Sequence, residues 1–312
     1  MNSIIDKIYQ QAKTNIKKIV LVEPEDERIV KAIQIAKKEK LADITLLDIL
    51  PKKHSMFNQF VEQFYELRKD KGITIDQAKE IISHPLYFGT MMVKNKIVDG
   101  MVAGANNTSL ETFRPALQII KTKPGESIAS SFFIIHVPNT DFGYQGTFIF
   151  ADCGLNINPT AEELAQIAIQ SSHSFQQLIG GQPKIAMLSY STNGSGAGES
   201  VDKVKKATQI VKNNYPNLII EGEIQSDAAI IPKIAIRKNS HSQLQGQANI
   251  LIFPNLDSGN IAYKLVERLS QAQAFGPLLQ GINQPINDLS RGCNIDDIVT
   301  TIAITSIQAT SN

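Results

Sequence analysis

The chain has 312 residues, 31 Lys plus Arg against 30 Asp plus Glu, 42% hydrophobic residues, two cysteines and no tryptophan. A formal charge of +1 excludes the bulk basic field behind sequence-independent nucleic-acid binding, so any anion has to be caught locally. Two cysteines exclude a disulfide framework and favour a reducing compartment, and with no signal-peptide core and no membrane-length apolar run the chain reads as cytoplasmic.

The first predicted elements are a buried-type strand at residues 19–23 (IVLVE), a Pro/Glu/Asp turn, and a helix marked by Ile29, Ala32, Ile33, Ile35 and Ala36. Further apolar runs follow at 44–47, 100–103, 131–137, 147–150, 185–189, 218–221 and 250–253. Nearly all are continuous, not alternating, which suits strands covered on both faces. Amphipathic stretches at 161–177, 200–213 and 260–274, and a last helix at 295–309, complete an α/β pattern with largely parallel sheets. The length suggests two domains at about 150 residues each. Composition changes at 121–126 and 274–285 place them at residues 1–126 with 277–312, and 127–276.

Three segments carry candidate chemistry. The strand, Ser/Gly loop and helix of residues 184–211 resemble a backbone cradle for phosphate, or a purely structural loop; its Gly194, Gly196 and Gly198 fit neither a P-loop nor G-x-G-x-x-G. With Glu221 and Glu223 downstream, a dinucleotide site is a further alternative. Residues 285–299 gather Asp288, Ser290, Arg291, Asp296 and Asp297 at a helix entry, suited to anion binding with proton abstraction, or to an N-cap by Asn294 or Asp296 with Arg291 in a surface ion pair. In the third, a buried-type strand within 99–122 ends in a small polar loop leading to Arg114 and Pro115, with Pro115 expected in the first turn of a helix and Arg114 at its anion-favouring entry, or else a solvated surface charge. The histidines are scattered without metal-ligand spacing, and Cys153 reads as an inert buried thiol more readily than as a nucleophile.

Taken as ordered blocks, these residues resemble the phosphate acetyltransferases: LRKDKG from Leu67, YFGTMMV from Tyr87, DGMVAGA from Asp99, RPALQIIKT from Arg114, FADCGLNINPTAEELAQIA from Phe150, MLSYST from Met187, QSDAAI from Gln225, ANILIFPNLDSGNIAYK from Ala248 and NDLSRGC from Asn287. The resemblance implies reversible acetyl transfer between coenzyme A and phosphate, and a place in acetate metabolism. It further implies two α/β/α domains similar to isocitrate and isopropylmalate dehydrogenases, an active site in the interdomain cleft, and a homodimer. The substrates would be CoA or acetyl-CoA, acetyl phosphate and phosphate, with no metal and no tightly bound cofactor, and no nucleic-acid or membrane partner.

By matching motif, the resemblance makes Asp297 the general base for the CoA thiol, Arg291 the ligand of the acetyl phosphate phosphoryl group, and Ser290 a hydrogen-bond donor at the acyl centre. It assigns substrate binding to Arg114, Arg68, Arg268, Ser191, Thr192 and Asn107. Asn107 and Asn294 stand where many members have histidine and serine, substitutions that keep a hydrogen-bonding side chain. A transferase of butyryl or propionyl groups and a non-catalytic CoA or phosphate sensor are the competing readings.

Overall fold

The computed structural model describes residues 4–311. They form two compact units, one running up to Pro124 and resuming from Ile282, the other of Gly125–Gly281. In chain order the first unit contains α1 (Ile4–Thr14), β1 (Lys18–Leu21), α2 (Glu27–Lys38), β2 (Asp43–Leu46), α3 (Phe57–Arg68), α4 (Ile75–Ile82), α5 (Pro85–Lys94), β3 (Gly100–Ala103) and α6 (Ser109–Pro115). The second runs β4 (Ser130–His136), β5 (Thr147–Ala151), α7 (Ala161–Leu178), β6 (Lys184–Leu188), α8 (Glu199–Asn214), β7 (Ile219–Ile224), α9 (Ser226–Ile230), α10 (Pro232–Lys238), β8 (Ile250–Ile252), α11 (Leu256–Ser270) and β9 (Gln273–Gln280). The chain then returns to the first unit for β10 (Ile286–Asp288) and α12 (Ile295–Gln308).

The sheet of the first unit is parallel throughout, in the order β10-β3-β1-β2. Its central strands are buried on both sides, as their unbroken apolar runs require. α12 packs against α1 and α2 and is buried from Ile298 to Ile307, so the last helix closes this core. The second sheet is mixed, in the order β7-β6-β8-β5-β4-β9, with β4 antiparallel to both neighbours. Its core includes Phe133, Phe148, Phe150, Leu251 and Phe253, each burying apolar area worth about 2 kcal/mol. Among the described residues no helix is long and apolar enough to cross a membrane.

Two local readings need correction. The stretch 260–274 is not one helix: α11 ends at Ser270, Gln271 takes the left-handed conformation with φ 56°, and β9 begins two residues later. Its Gly276 and Pro277 look like strand breakers in sequence, yet they lie in a strand paired only with β4. The helix near Arg114 starts earlier than expected, because Thr108 and Glu111 form a capping box ahead of Ser109. Arg114 therefore lies in its last turn, away from the positive end of the dipole, and Pro115 leads into a π turn at Ala116–Ile120.

Candidate active site

The loops that follow β1, β3 and β10 leave three parallel strands at their carboxyl ends, the usual place for a ligand in such a sheet. Glu23, just past β1, is 5% exposed and accepts from the backbone N–H groups of Gly104 (2.9 Å), Ala105 (3.1 Å) and Asn106 (2.8 Å) and from Asn107 Nδ2 (2.7 Å). A carboxylate at the end of a buried strand has to be paired, and here it fixes the loop after β3. Asn107 is held by this contact, so its amide is a piece of the loop's framework.

Asp288, the last residue of β10, lies beneath the same loop. Its Oδ2 accepts from Ser109 Oγ at 2.5 Å, while Oδ1 is buried without a hydrogen-bond partner. Gly104, at φ +109°, faces that oxygen, and a Cβ there would collide with it. Burial pushes the Asp288 carboxyl up to about 7, with the hydroxyls of Ser109 and Thr112 pulling the other way and the Glu23 charge adding to the rise. The native state thus holds a proton that the unfolded state releases. The associated stability is fully present below about pH 4 and is lost as pH rises from there to about 7. Relative to Asp288→Asn, the native chain is expected to lose about 3 kcal/mol of unfolding free energy between pH 5 and 7.5, one pKa unit being 1.36 kcal/mol. Urea titrations at the two pH values check this; parallel losses in both proteins would refute it.

After β10 the chain reaches Ser290 and Arg291, both exposed. Cys293 N–H donates to Ser290 O at 2.8 Å, and Gly292 N–H donates to Ser290 Oγ at 3.3 Å. Asn294 then caps α12 in a reciprocal box: Asp297 N–H donates to Asn294 Oδ1, and Asn294 N–H donates to Asp297 Oδ2, each at 2.9 Å. Cap and polar cluster thus coexist in one segment. Asp297 is partly buried, and desolvation raises its carboxyl above the ordinary range against the opposing bond from Asn294.

Arg68 ends α3 and Arg114 lies in the last turn of α6. The Tyr87 phenol is pushed up by burial, and the positive charges of Arg114 and then Arg68 counter it, so both guanidinium groups act on one neighbourhood. Hydrogen bonds from Thr108 hold the Glu111 carboxyl low, with His84 and Arg291 adding to the effect. Four of the expected residues, Arg68, Asn107, Arg114 and Arg291, thus belong to the first unit together with Ser290 and Asp297.

Ser191, Thr192 and Arg268 belong to the second unit. Arg268 is exposed in the last turn of α11. Ser191 and Thr192 are buried, and their hydroxyls are engaged: Ser191 Oγ donates to Glu223 Oε1 at 2.9 Å, and Thr192 Oγ1 donates to Gln225 Oε1 at 3.1 Å. The glycine-bearing loop also uses its own donors, Gly194 N–H on Glu223 Oε1 (2.7 Å) and Gly196 N–H on Ser191 Oγ (2.9 Å). Glu221 is taken up by Asn239 and Ser242. The structural alternative for this loop therefore accounts for those groups, and neither glutamate is left to hold a ribose.

Burial raises the Cys153 thiol well above its ordinary value and pushes Cys293 up to about 11, which removes both as nucleophiles at neutral pH. Sequence reasoning missed Glu23 and Arg28, and placed Asp288 in the polar cluster without its buried position under the loop after β3. The first had a visible signal, an acid at the end of an apolar strand run.

Comparison with known proteins adds the identity of the architecture. The model of the family described as phosphate acetyl/butaryl transferase matches residues 3–306. A phosphate acetyltransferase of Thermoanaerobacterium thermosaccharolyticum is 49% identical over 326 residues, covering 98% of this chain and 99% of that one. The crystal structure of a phosphotransacetylase from Streptococcus pyogenes superposes with a TM-score of 0.91 at 40% identity over all of both chains. A Salmonella typhimurium protein described as a 4-hydroxythreonine-4-phosphate dehydrogenase gives a TM-score of 0.55 at 9% identity, covering 93% of this chain and 99% of its own, a likeness of fold alone.

Proposed function

This chain belongs to the phosphate acetyl/butyryl transferase family and transfers an acetyl group between coenzyme A and phosphate, and we propose that the segment from Ser290 to Asp297 performs the transfer. The observation that carries this is the state of three polar side chains. Asp297 spends only Oδ2 on the helix cap, leaving Oδ1 to take a proton. Ser290 Oγ accepts from Gly292 N–H, so its own hydrogen is free to be donated. Arg291 projects from an exposed loop and is in no ion pair among the described residues.

The chemistry follows from these roles. A thiol with a pKa near 8.5 is only a few per cent thiolate at neutral pH, so a carboxylate that accepts its proton as attack begins lowers the barrier. The sulfur forms its bond to the acetyl carbon, and negative charge gathers on the carbonyl oxygen, where Ser290 donates. The bond between that carbon and the bridging oxygen then breaks, and its electron pair leaves with phosphate. Arg291 meets the phosphate with a planar fork able to bind two oxygens. The proton on Asp297 passes to the departing phosphate or to solvent, which resets the base. Arg68 and Arg114, whose charges both act on Tyr87, bind an anionic group of the substrates, phosphate or CoA. Mixing purified protein with acetyl phosphate and CoA should generate thioester absorbance; its absence at high enzyme concentration refutes the assignment.

The protein further acts in the cytoplasm, its two cysteines being unpaired thiols, and as a homodimer. Support for the dimer comes from α11, whose Ile261, Leu265 and Leu269 are 57%, 52% and 81% exposed at helical spacing. An apolar row of this kind marks an interaction surface. Leu265→Glu with Leu269→Glu is expected to halve the mass in sedimentation at an unchanged circular dichroism spectrum. An unaltered mass would remove this face from the interface.

A further inference from the structure

Arg28 lies outside the residues that the chemistry uses, yet all five of its guanidinium N–H donors are spent inside the site. It is the second residue of α2, and the N-cap Asp26 fixes its rotamer: Asp26 Oδ1 accepts from the Arg28 backbone N–H (2.8 Å) and Nε (3.1 Å), and Oδ2 accepts from Nη2 (2.7 Å). Nη2 also donates to Ala105 O at 3.0 Å, in the loop after β3. Nη1 donates to Arg291 O at 2.9 Å and to Cys293 O at 3.0 Å, in the loop after β10.

We propose that Arg28 is the positioning residue of this transferase, tying the loop of Ala105 to the loop of Arg291 so that the phosphate ligand and the cap bearing Asp297 are held in reacting geometry. The proposal rests on the roles given above to Arg291 and Asp297. Glu23 completes the arrangement from the other side, since it holds the N–H groups of Gly104, Ala105 and Asn106 while Arg28 holds the carbonyl of Ala105. Lysine cannot replace this function. Its three donors on one point cannot meet Asp26 and three carbonyls lying in two loops.

The test uses the full chain and the variants Arg28→Lys and Arg28→Met, alone and combined with Arg291→Ala. Arg28→Lys is expected to lower kcat about a hundredfold, the scale of a small misplacement of reacting groups, with KM for CoA nearly unchanged. Combined with Arg291→Ala its effect should shrink, the two losses falling short of additive, because the part that acts through the Arg291 side chain is already gone. Additive losses, or wild-type kinetics in Arg28→Lys, overturn the proposal. Hydrogen exchange supplies an arm that needs no activity. Amides at 104–106 and at 293–297 should exchange faster in both variants while the amides of β4 and β5 keep their protection, and unchanged exchange in those loops also overturns it. Absence of turnover in the unmodified protein, with this loop-specific exchange present, would instead count against the catalytic roles of Arg291 and Asp297.

Discussion

Asp297→Asn is expected to lower kcat by about two to four orders of magnitude, the usual weight of a positioned base, while KM for either substrate changes little. The substitution is selective because of where Asp297 sits. At the third position of α12 its carboxylate accepts the Asn294 N–H, a task that an asparagine carbonyl performs equally well, so cap and helix survive. What disappears is the ability to take a proton. The deficit should narrow as pH approaches about 8.5, where the thiol ionises unaided. In the native enzyme, burial keeps the Asp297 carboxyl above the ordinary range. Activity should therefore rise with pH through an acid limb above about pH 4, and that limb should vanish in the variant. Near-native turnover of Asp297→Asn at neutral pH would end its assignment as the base.

Arg291→Ala is expected to cut kcat/KM for acetyl phosphate by about 10²–10³, the loss found when one preplaced donor to developing charge is removed. KM for acetyl phosphate should rise, and KM for CoA should stay close to its original value. Stability should hold, since the Arg291 side chain is exposed and its backbone remains tied to Arg28. Arg291→Lys should recover only part of the loss, a point charge replacing a two-pronged contact. Steady-state kinetics with each substrate varied in turn decides the matter; equal effects on both KM values would point to a disordered loop and not to a lost phosphate ligand.

The parallel core was legible because strands such as 100–103 and 250–252 are short unbroken apolar runs that leave no room for a solvent face. β9 was not, since Gly276 and Pro277 stand in the middle of it and its pairing partner lies far away in sequence. The cap at Asn294 and the polar cluster of Ser290, Arg291 and Asp297 were readable from spacing, and the resemblance supplied the roles expected of those three. Arg28 escaped notice for a physical reason: beyond neighbouring Asp26, its partners are backbone carbonyls at positions 105, 291 and 293, and a carbonyl leaves no mark in a sequence. Ser191 and Thr192 show the converse. Their residue types suit a ligand, and only the fold reveals that Glu223 and Gln225 already occupy their hydroxyls.

The first unit is interrupted between Pro124 and Ile282, and its edge strand β10 and closing helix α12 lie in the returning segment. During synthesis the earlier half of this unit therefore emerges with β3 unpaired along one edge and the groove between α1 and α2 uncovered, and it waits in that condition while the whole of residues 125–281 is made. An open strand edge is a hazard for association with other chains. The same segment that shuts this edge delivers Ser290, Arg291 and Asp297, so on the roles proposed above, closing the sheet and completing the site are one event.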